Sequence, residues 1–185
     1  STKSLSSIIF LLLWISHYGY RSLIYPFLLR GNKRMSLSIV LMGATFNTIN
    51  GYLQGRWLFT FVSDTFYSAD WFYGYRFILG MVLFFGGMLI NRHSDFLLRN
   101  LRAPGETDYK IPYGGFFNLV SAPNYLGEII QWFGWALATW SLAGLVFAVW
   151  TTANLLPRAI ASHRWYKQRF SNYPSTRKAI IPFLL

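Results

Sequence analysis

The sequence predicts an all-α, multi-pass transmembrane helical bundle, and three observations carry that prediction. Of 185 residues, 54% are hydrophobic and 20% aromatic, while only 12% are charged, about half the charged share of a soluble domain. A single domain of this size has too little interior to hide so much apolar surface, so lipid must serve as its solvent. Apolar segments recur along the whole chain between short polar runs, and the basic residues crowd into alternate connections.

Five apolar segments can be drawn, at 8–29, 37–61, 73–90, 125–138 and 142–156. The first three are long enough to cross about 30 Å of hydrocarbon at about 1.5 Å per residue. The last two are shorter and meet at Thr139-Trp140-Ser141, which reads as a tight hairpin between two spans. Charge supports that count. With alternate connections on opposite sides, one side holds thirteen of the seventeen Lys and Arg: three in 30–34, four in 92–110 and six in 158–178. The connection 62–72 has no Lys or Arg, and its only charged residues are Asp64 and Asp70. This bias predicts a cytosolic C-terminus and a cytosolic 92–110 block, and merging the last two segments would destroy it. The net charge of +11 is then a product of topology, which argues against a nucleic-acid partner. The expected membrane is the endoplasmic reticulum in a eukaryote or the inner membrane in a bacterium.

The expected organisation is a single membrane-embedded domain over 1–185, acting as a monomer. Within it, 91–115 is a cytosolic loop suited to a polar, anionic ligand and 157–185 a cytosolic tail. The N-terminus has neither an initiating Met nor a cleavable signal pattern, so the chain is expected to be a segment of a longer protein.

Absences narrow the chemistry. There is no Cys, hence no thiol catalysis and no disulfide or Cys-based metal site. His17, His93 and His163 are too far apart in sequence to suggest a metal. No G-x-G-x-x-G marks a Rossmann domain, and no Ser or Cys nucleophile with a credible base stands out.

Polar residues in apolar surroundings carry the functional signal. Asn91, Asp95 and Arg102 are offset by 4 and 11 residues, which returns them to one face if the helix extends beyond the membrane. An amide, a carboxylate and a guanidinium on one stripe suit a ligand with hydroxyl or amide groups and phosphates; a capped, solvated helix end is the alternative. Asn124 and Glu128 form a second i,i+4 pair at the start of the fourth segment, where the helix dipole favours a carboxylate. Arg158, His163 and Tyr166 form a third cluster, in a basic aromatic tail of a kind that also suits anionic lipid. Arg56 and Arg76 flank the acidic connection and read as snorkelling anchors. Arg21 sits mid-segment, one turn from His17 and Tyr18, where an anchor role does not explain it.

These residues resemble a known pattern. The run NRHSDFLLRNLRAPGETDYKIPYGGFFNLVSAPNYLGEIIQWFGWALATW and the tail HRWYKQRFSNYPSTRKAIIPFLL look like the C-terminal part of the steroid 5-alpha-reductase family. The upstream HYGYRSLIYPFLLRG and GYLQG extend the likeness over nearly the whole chain. The resemblance implies a seven-span fold of which these are the last five spans, with NADPH bound from the cytosol between the later helices. It implies that a 3-oxo-Δ4-steroid accepts hydride at C5 and a proton at C4. A Tyr and a Glu donate to the 3-oxo oxygen; Tyr18 matches the Tyr, and the Glu belongs to an upstream helix outside this chain. Arg21 follows at the family's spacing, in support of Tyr18. Asn91, Asp95, Arg102, Tyr109, Asn124, Glu128, Arg158 and Tyr166 match cofactor-binding positions. His163 falls in a His-rich stretch, and Asn32 lies in the loop where some relatives carry a basic residue. Lys110 stands where Arg is common, and Gln131 where Glu is common. Two other readings stand beside it: a reductase of polyprenol or enoyl-thioester lipids, served by the same cofactor face, and a membrane methyltransferase of the isoprenylcysteine type using S-adenosylmethionine, against which Arg102 and the PGE-x-x-Y motif argue.

Overall fold

The computed structural model describes residues 5–28, 35–63, 65–103, 105–106 and 108–185; Asn32 lies outside them. The architecture is an all-α membrane bundle. Helix α1 (Leu5–Gly19) passes through a π-helical turn at Tyr20–Ile24 into the short α2 (Tyr25–Leu28). Helix α3 (Leu37–Arg56) likewise ends in a π-helical turn, Trp57–Phe61. Then follow α4 (Tyr75–Asn100), α5 (Pro123–Thr139) and α6 (Leu142–Arg169), with 3-10 turns at Ala69–Tyr73 and Gly115–Asn118. Among the described residues, β pairing is confined to an isolated parallel bridge between Val120 and Lys178.

Three rods are long and apolar enough to cross a membrane: Leu5–Leu28, Tyr75–Asn100 and Leu142–Arg169. The second and fourth expected spans form helices in their expected places, but each falls short of one condition. Helix α3 carries Asn47, Thr48, Asn50 and Gln54 in its 20 residues, and α5 has only 17. Helices α4 and α6 overrun their expected ends, reaching Asn100 and Arg169 rather than 90 and 156. Hydropathy marks where lipid stops; backbone pairing continues for as long as good helix formers follow. The first residues of the 91–115 block are thus helix rather than loop. Arg102 lies beyond the C-cap Leu101, so the expected three-residue stripe is a helical pair, Asn91 and Asp95, followed by a residue off the helix.

The helix break at 139–141 has local causes. Trp140 adopts the left-handed conformation (φ 46°, ψ 44°) that stops α5, and Ser141 Oγ accepts from Gly144 N at 2.9 Å to start α6. The last carbonyls of α5, left without helical donors, are met by the 62–74 connection. Tyr67 donates to Thr139 O at 2.6 Å and Trp71 Nε1 to Ala138 O at 3.0 Å, while Trp57 Nε1 donates to the Tyr67 hydroxyl at 2.8 Å. Burial pushes the Tyr67 phenol up to about 12. The two flanking arginines stack on rings, Arg76 over Trp140 and Arg56 over Phe61.

Helices α4 and α5 touch backbone to backbone. A Cβ on Gly87 would stand 2.4 Å from Gln131 N and Gly127 O, and one on Gly127 would stand 2.5 Å from Asn91 N. Small residues permit such approach where lipid supplies no hydrophobic drive between helices. The seam seats Asn91 against the first turn of α5. On the other side of α5, Trp132, Trp135, Phe10, Phe84 and Phe147 form a buried aromatic core. Leu12, Val82, Leu89 and Val146 remain exposed, as expected of faces solvated by lipid.

Candidate functional site

Arg21 organises the site. It lies in the π-helical turn immediately after Tyr18 and Gly19, and it reaches two other helices. Its Nη1 meets Asp95 of α4 at 2.9 Å and its Nη2 meets Glu128 of α5 at 3.4 Å. Asn91, one turn before Asp95, donates from Nδ2 to the Asn124 carbonyl at 2.9 Å and to Glu128 at 3.5 Å. Two i,i+4 pairs from two helices thus converge on one guanidinium. The Asp95 side chain is 5% exposed and that of Glu128 19%, so neither carboxylate is left to bulk water. Arg92 and Arg99 strengthen the α1–α2 contact with α4 by lying over the Tyr20 and Tyr25 rings.

Tyr18 stands beside this cluster on the aromatic core. Its ring packs on Trp14 at 4.8 Å and on Trp132 at 5.9 Å, and His17 meets it edge-on at 5.2 Å. Its oxygen accepts from Asn50 Nδ2 at 3.5 Å. His17 is buried and pairs with Gln131 at 2.9 Å. Gln131 Oε1 has no hydrogen-bond partner among the described residues.

A second, more open group gathers at the basic end of the bundle. Arg102 lies over the Tyr109 ring at 5.5 Å. Tyr109 packs on Trp165 at 4.9 Å, and Tyr166 stacks on Tyr173 at 5.4 Å. Glu106 of the Pro-Gly-Glu turn is tied inside its own loop, to Lys110 at 2.7 Å and to the Ala103 amide at 3.0 Å. Those contacts hold its carboxyl below the usual carboxylate range. The chain end closes over this loop. Lys178 N donates to Leu119 O, Ser121 N to Lys178 O, and buried Arg177 to Pro112 O at 3.1 Å. Ser121 Oγ lies 2.6 Å from His163 Nδ1 and from the Tyr173 hydroxyl.

The structure therefore brings five sequence candidates together, Arg21, Asn91, Asp95, Asn124 and Glu128, with Tyr18 one helical turn before Arg21. Arg102, Tyr109 and Tyr166 form the outer aromatic group. His163 binds the chain end through Ser121. This is a Ser–His contact that sequence spacing does not suggest; Ser121, 5% exposed and also donating to Lys178 O, serves there as a clasp. Arg158 is exposed on α6. Among the described residues the ion pairs are those of Arg21 with Asp95 and Glu128, and of Lys110 with Glu106. Arg99, Arg102 and Arg158 form no such ion pair among the described residues. No group of three metal-ligating side chains occurs among the described residues. Reading by motif passed over Asn50 and Gln54, although two amides four residues apart in an apolar helix are a signal in themselves.

Comparison with known proteins adds an independent finding. The 3-oxo-5-alpha-steroid 4-dehydrogenase family profile matches residues 33–185. The chain is 51% identical over 182 residues to 3-oxo-5-alpha-steroid 4-dehydrogenase 1 of Macaca fascicularis, covering 98% of this chain and 68% of that protein. It is 50% identical over 182 residues to the Homo sapiens protein of the same name, covering 98% and 69%. It is 46% identical over 178 residues to Steroid 5-alpha-reductase DET2 of Arabidopsis thaliana, covering 92% and 67%. The chain thus spans about two thirds of the length of these relatives.

Proposed function

We propose that this chain, which belongs to the 3-oxo-5-alpha-steroid 4-dehydrogenase family, is the larger part of an NADPH-dependent oxidoreductase of steroid metabolism. In this reading it saturates the Δ4 double bond of a 3-oxo-Δ4-steroid to give the 5α-steroid. The observation that carries the reading is the reach of Arg21 to Asp95 and Glu128. That reach supports the reading because it joins the segment that carries Tyr18 to α4 and α5, which carry the candidate cofactor residues.

The donor set fits NADPH. Carboxylates and amides at Asp95, Glu128, Asn91 and Asn124 suit the hydroxyl and carboxamide groups of a nicotinamide riboside. The guanidinium groups of Arg102 and Arg158 suit its phosphates. Tyr109 and Tyr166 offer flat faces beside Arg102, and His163 holds the tail against this group. NADPH supplies the hydride for C5 when bound, and a proton goes to C4.

The chain's own contribution is electrostatic. Negative charge moves onto the 3-oxo oxygen as C5 is reduced, and a donor already aimed at that oxygen lowers the barrier. Tyr18 is that donor, joined by a Glu of an upstream helix. Arg21 offsets part of the negative charge of Asp95 and Glu128, which lessens the cost of charge developing nearby. The aromatic shell of Trp14 and Trp132 excludes water, which strengthens the donor. In the membrane topology we propose, the basic end of the bundle faces the cytosol, where NADPH is available.

Membranes containing the complete protein, incubated with NADPH and testosterone or progesterone, are expected to yield the 5α-reduced steroid with matching consumption of NADPH. Turnover confined to polyprenol or enoyl-thioester substrates would move the reading to a lipid reductase. Tight binding of S-adenosylhomocysteine without binding of NADP+ would contradict it outright.

A further inference from the structure

Helix α3 turns two amides away from lipid. Asn50 and Gln54 are 5% and 3% exposed, while Tyr52 on the opposite side is 63% exposed and the flanking Ile49 and Leu53 are 55% and 45% exposed. Residues four apart share a helix face, and this face looks toward Tyr18. Burying two amides in a lipid-solvated helix is costly unless every donor and acceptor is used.

The partners of Gln54 leave no freedom in how it is oriented. The indole Nε1 of Trp135 can only donate, and it stands 3.0 Å from one Gln54 atom, which must be Oε1. The Ala143 carbonyl can only accept, and it stands 2.9 Å from the other, which must be Nε2. The second hydrogen on Nε2 points to Asn50 at 3.4 Å, so the Asn50 atom facing it is the acceptor Oδ1. That leaves Asn50 Nδ2, a donor, aimed at the Tyr18 oxygen at 3.5 Å. Direction is therefore imposed from Trp135 and Ala143 through two amides to the phenol.

We propose that Asn50 and Gln54 are positioning residues that hold Tyr18 as an acceptor toward the protein, which keeps its single hydroxyl proton for the substrate's oxo group. A phenol has one hydrogen to donate. A carbonyl or carboxylate in the place of Asn50 Nδ2 would take that hydrogen and silence the donor. Accepting a hydrogen bond also polarises the O–H, making it a stronger donor in turn. The same chain fixes where the phenol oxygen sits, because Gln54 anchors Asn50 to α5 and α6. This inference rests on the proposed role of Tyr18, and the test separates the two.

The test is a double-mutant cycle in membranes of the complete protein, with NADPH and testosterone. Asn50→Asp keeps the shape and replaces the donor by oxygens; Asn50→Leu removes the polar group. Tyr18→Phe is expected to lower kcat by about 10²- to 10³-fold, as loss of an oxyanion donor does. Each Asn50 variant is expected to lower kcat by about tenfold or more with the KM for NADPH unchanged, Asn50→Asp by the larger factor. On the Tyr18→Phe background neither is expected to lower kcat further, because residues acting through one group are not additive. A merely structural role would multiply the losses, or raise the KM for NADPH in step, and either result overturns the proposal. So does wild-type kcat in Asn50→Asp. Gln54→Met repeats the cycle one link away should an Asn50 variant fail to accumulate, and multiplied losses there overturn the proposal equally. Wild-type kcat in Tyr18→Phe contradicts the proposed function itself.

Discussion

Arg21 is worth more to the site than its place in the sequence suggests. A guanidinium in an apolar segment needs partners, and here it takes carboxylates from two other helices. The pairs Asn91–Asp95 and Asn124–Glu128 are legible in the sequence because i,i+4 spacing is a local property of a helix. Their convergence on Arg21 is not, since it depends on how three helices pack. The same limit hides Asn50, whose partner Tyr18 is 32 residues away. Arg102 supplies the prediction at this scale. It lies over Tyr109 and forms no ion pair among the described residues, and we assign it to a cofactor phosphate. Arg102→Ala should raise the KM for NADPH by about tenfold or more, as loss of a charge-assisted contact of about 1.5–3 kcal/mol requires. The KM for steroid should change far less. Equal increases in both, read from initial rates, would remove Arg102 from the cofactor site.

Among the elements, the α4–α5 seam decides whether the site exists. Gly127 has backbone of α4 where its side chain would be, so Gly127→Ala must push the helices apart. Overpacking of this kind costs about 1–3 kcal/mol. A lower melting temperature in detergent, together with a raised KM for NADPH, is the expected result; an unchanged melting temperature would show that the seam is looser than described. The 62–74 connection yields a pH prediction. Burial raises the Tyr67 phenol from 10.0 to about 12, so the folded state keeps its proton where the unfolded state loses it. The stability this contributes is complete below pH 10 and falls away as pH rises through about 12. Melting measured from pH 9 upward should therefore decline more steeply in the wild type than in Tyr67→Phe, and parallel slopes would contradict the assignment. Tyr67→Phe should also be less stable at neutral pH by about 1–3 kcal/mol, having left the Thr139 carbonyl and the Trp57 indole without their partner.

At the scale of the whole molecule, apolar runs locate all five long helices and the break at Thr139–Ser141. They underestimate α4 and α6, because hydropathy records contact with lipid and not the continuation of backbone hydrogen bonds. They overstate the apolar character of α3, whose polar residues face the interior and approach Tyr18. The closure of the chain end over the 109–122 loop, through Lys178 and Arg177, has no signal in composition or period, since it is made by backbone groups and one buried arginine. These parts form one arrangement: a membrane bundle with Tyr18 at an inner aromatic wall, Arg21 joining it to two carboxylates, and basic and aromatic groups at the open end. That arrangement is the claim that α4, α5 and α6 hold NADPH against a steroid polarised by Tyr18. The most direct measurement uses NADPH deuterated at the transferring carbon of the nicotinamide, with testosterone and membranes of the complete protein. Mass and NMR spectra of the product should show one deuterium, bonded to C5 on the α face. A 5α-product without deuterium at C5, or no turnover by folded protein that binds NADPH, would contradict it.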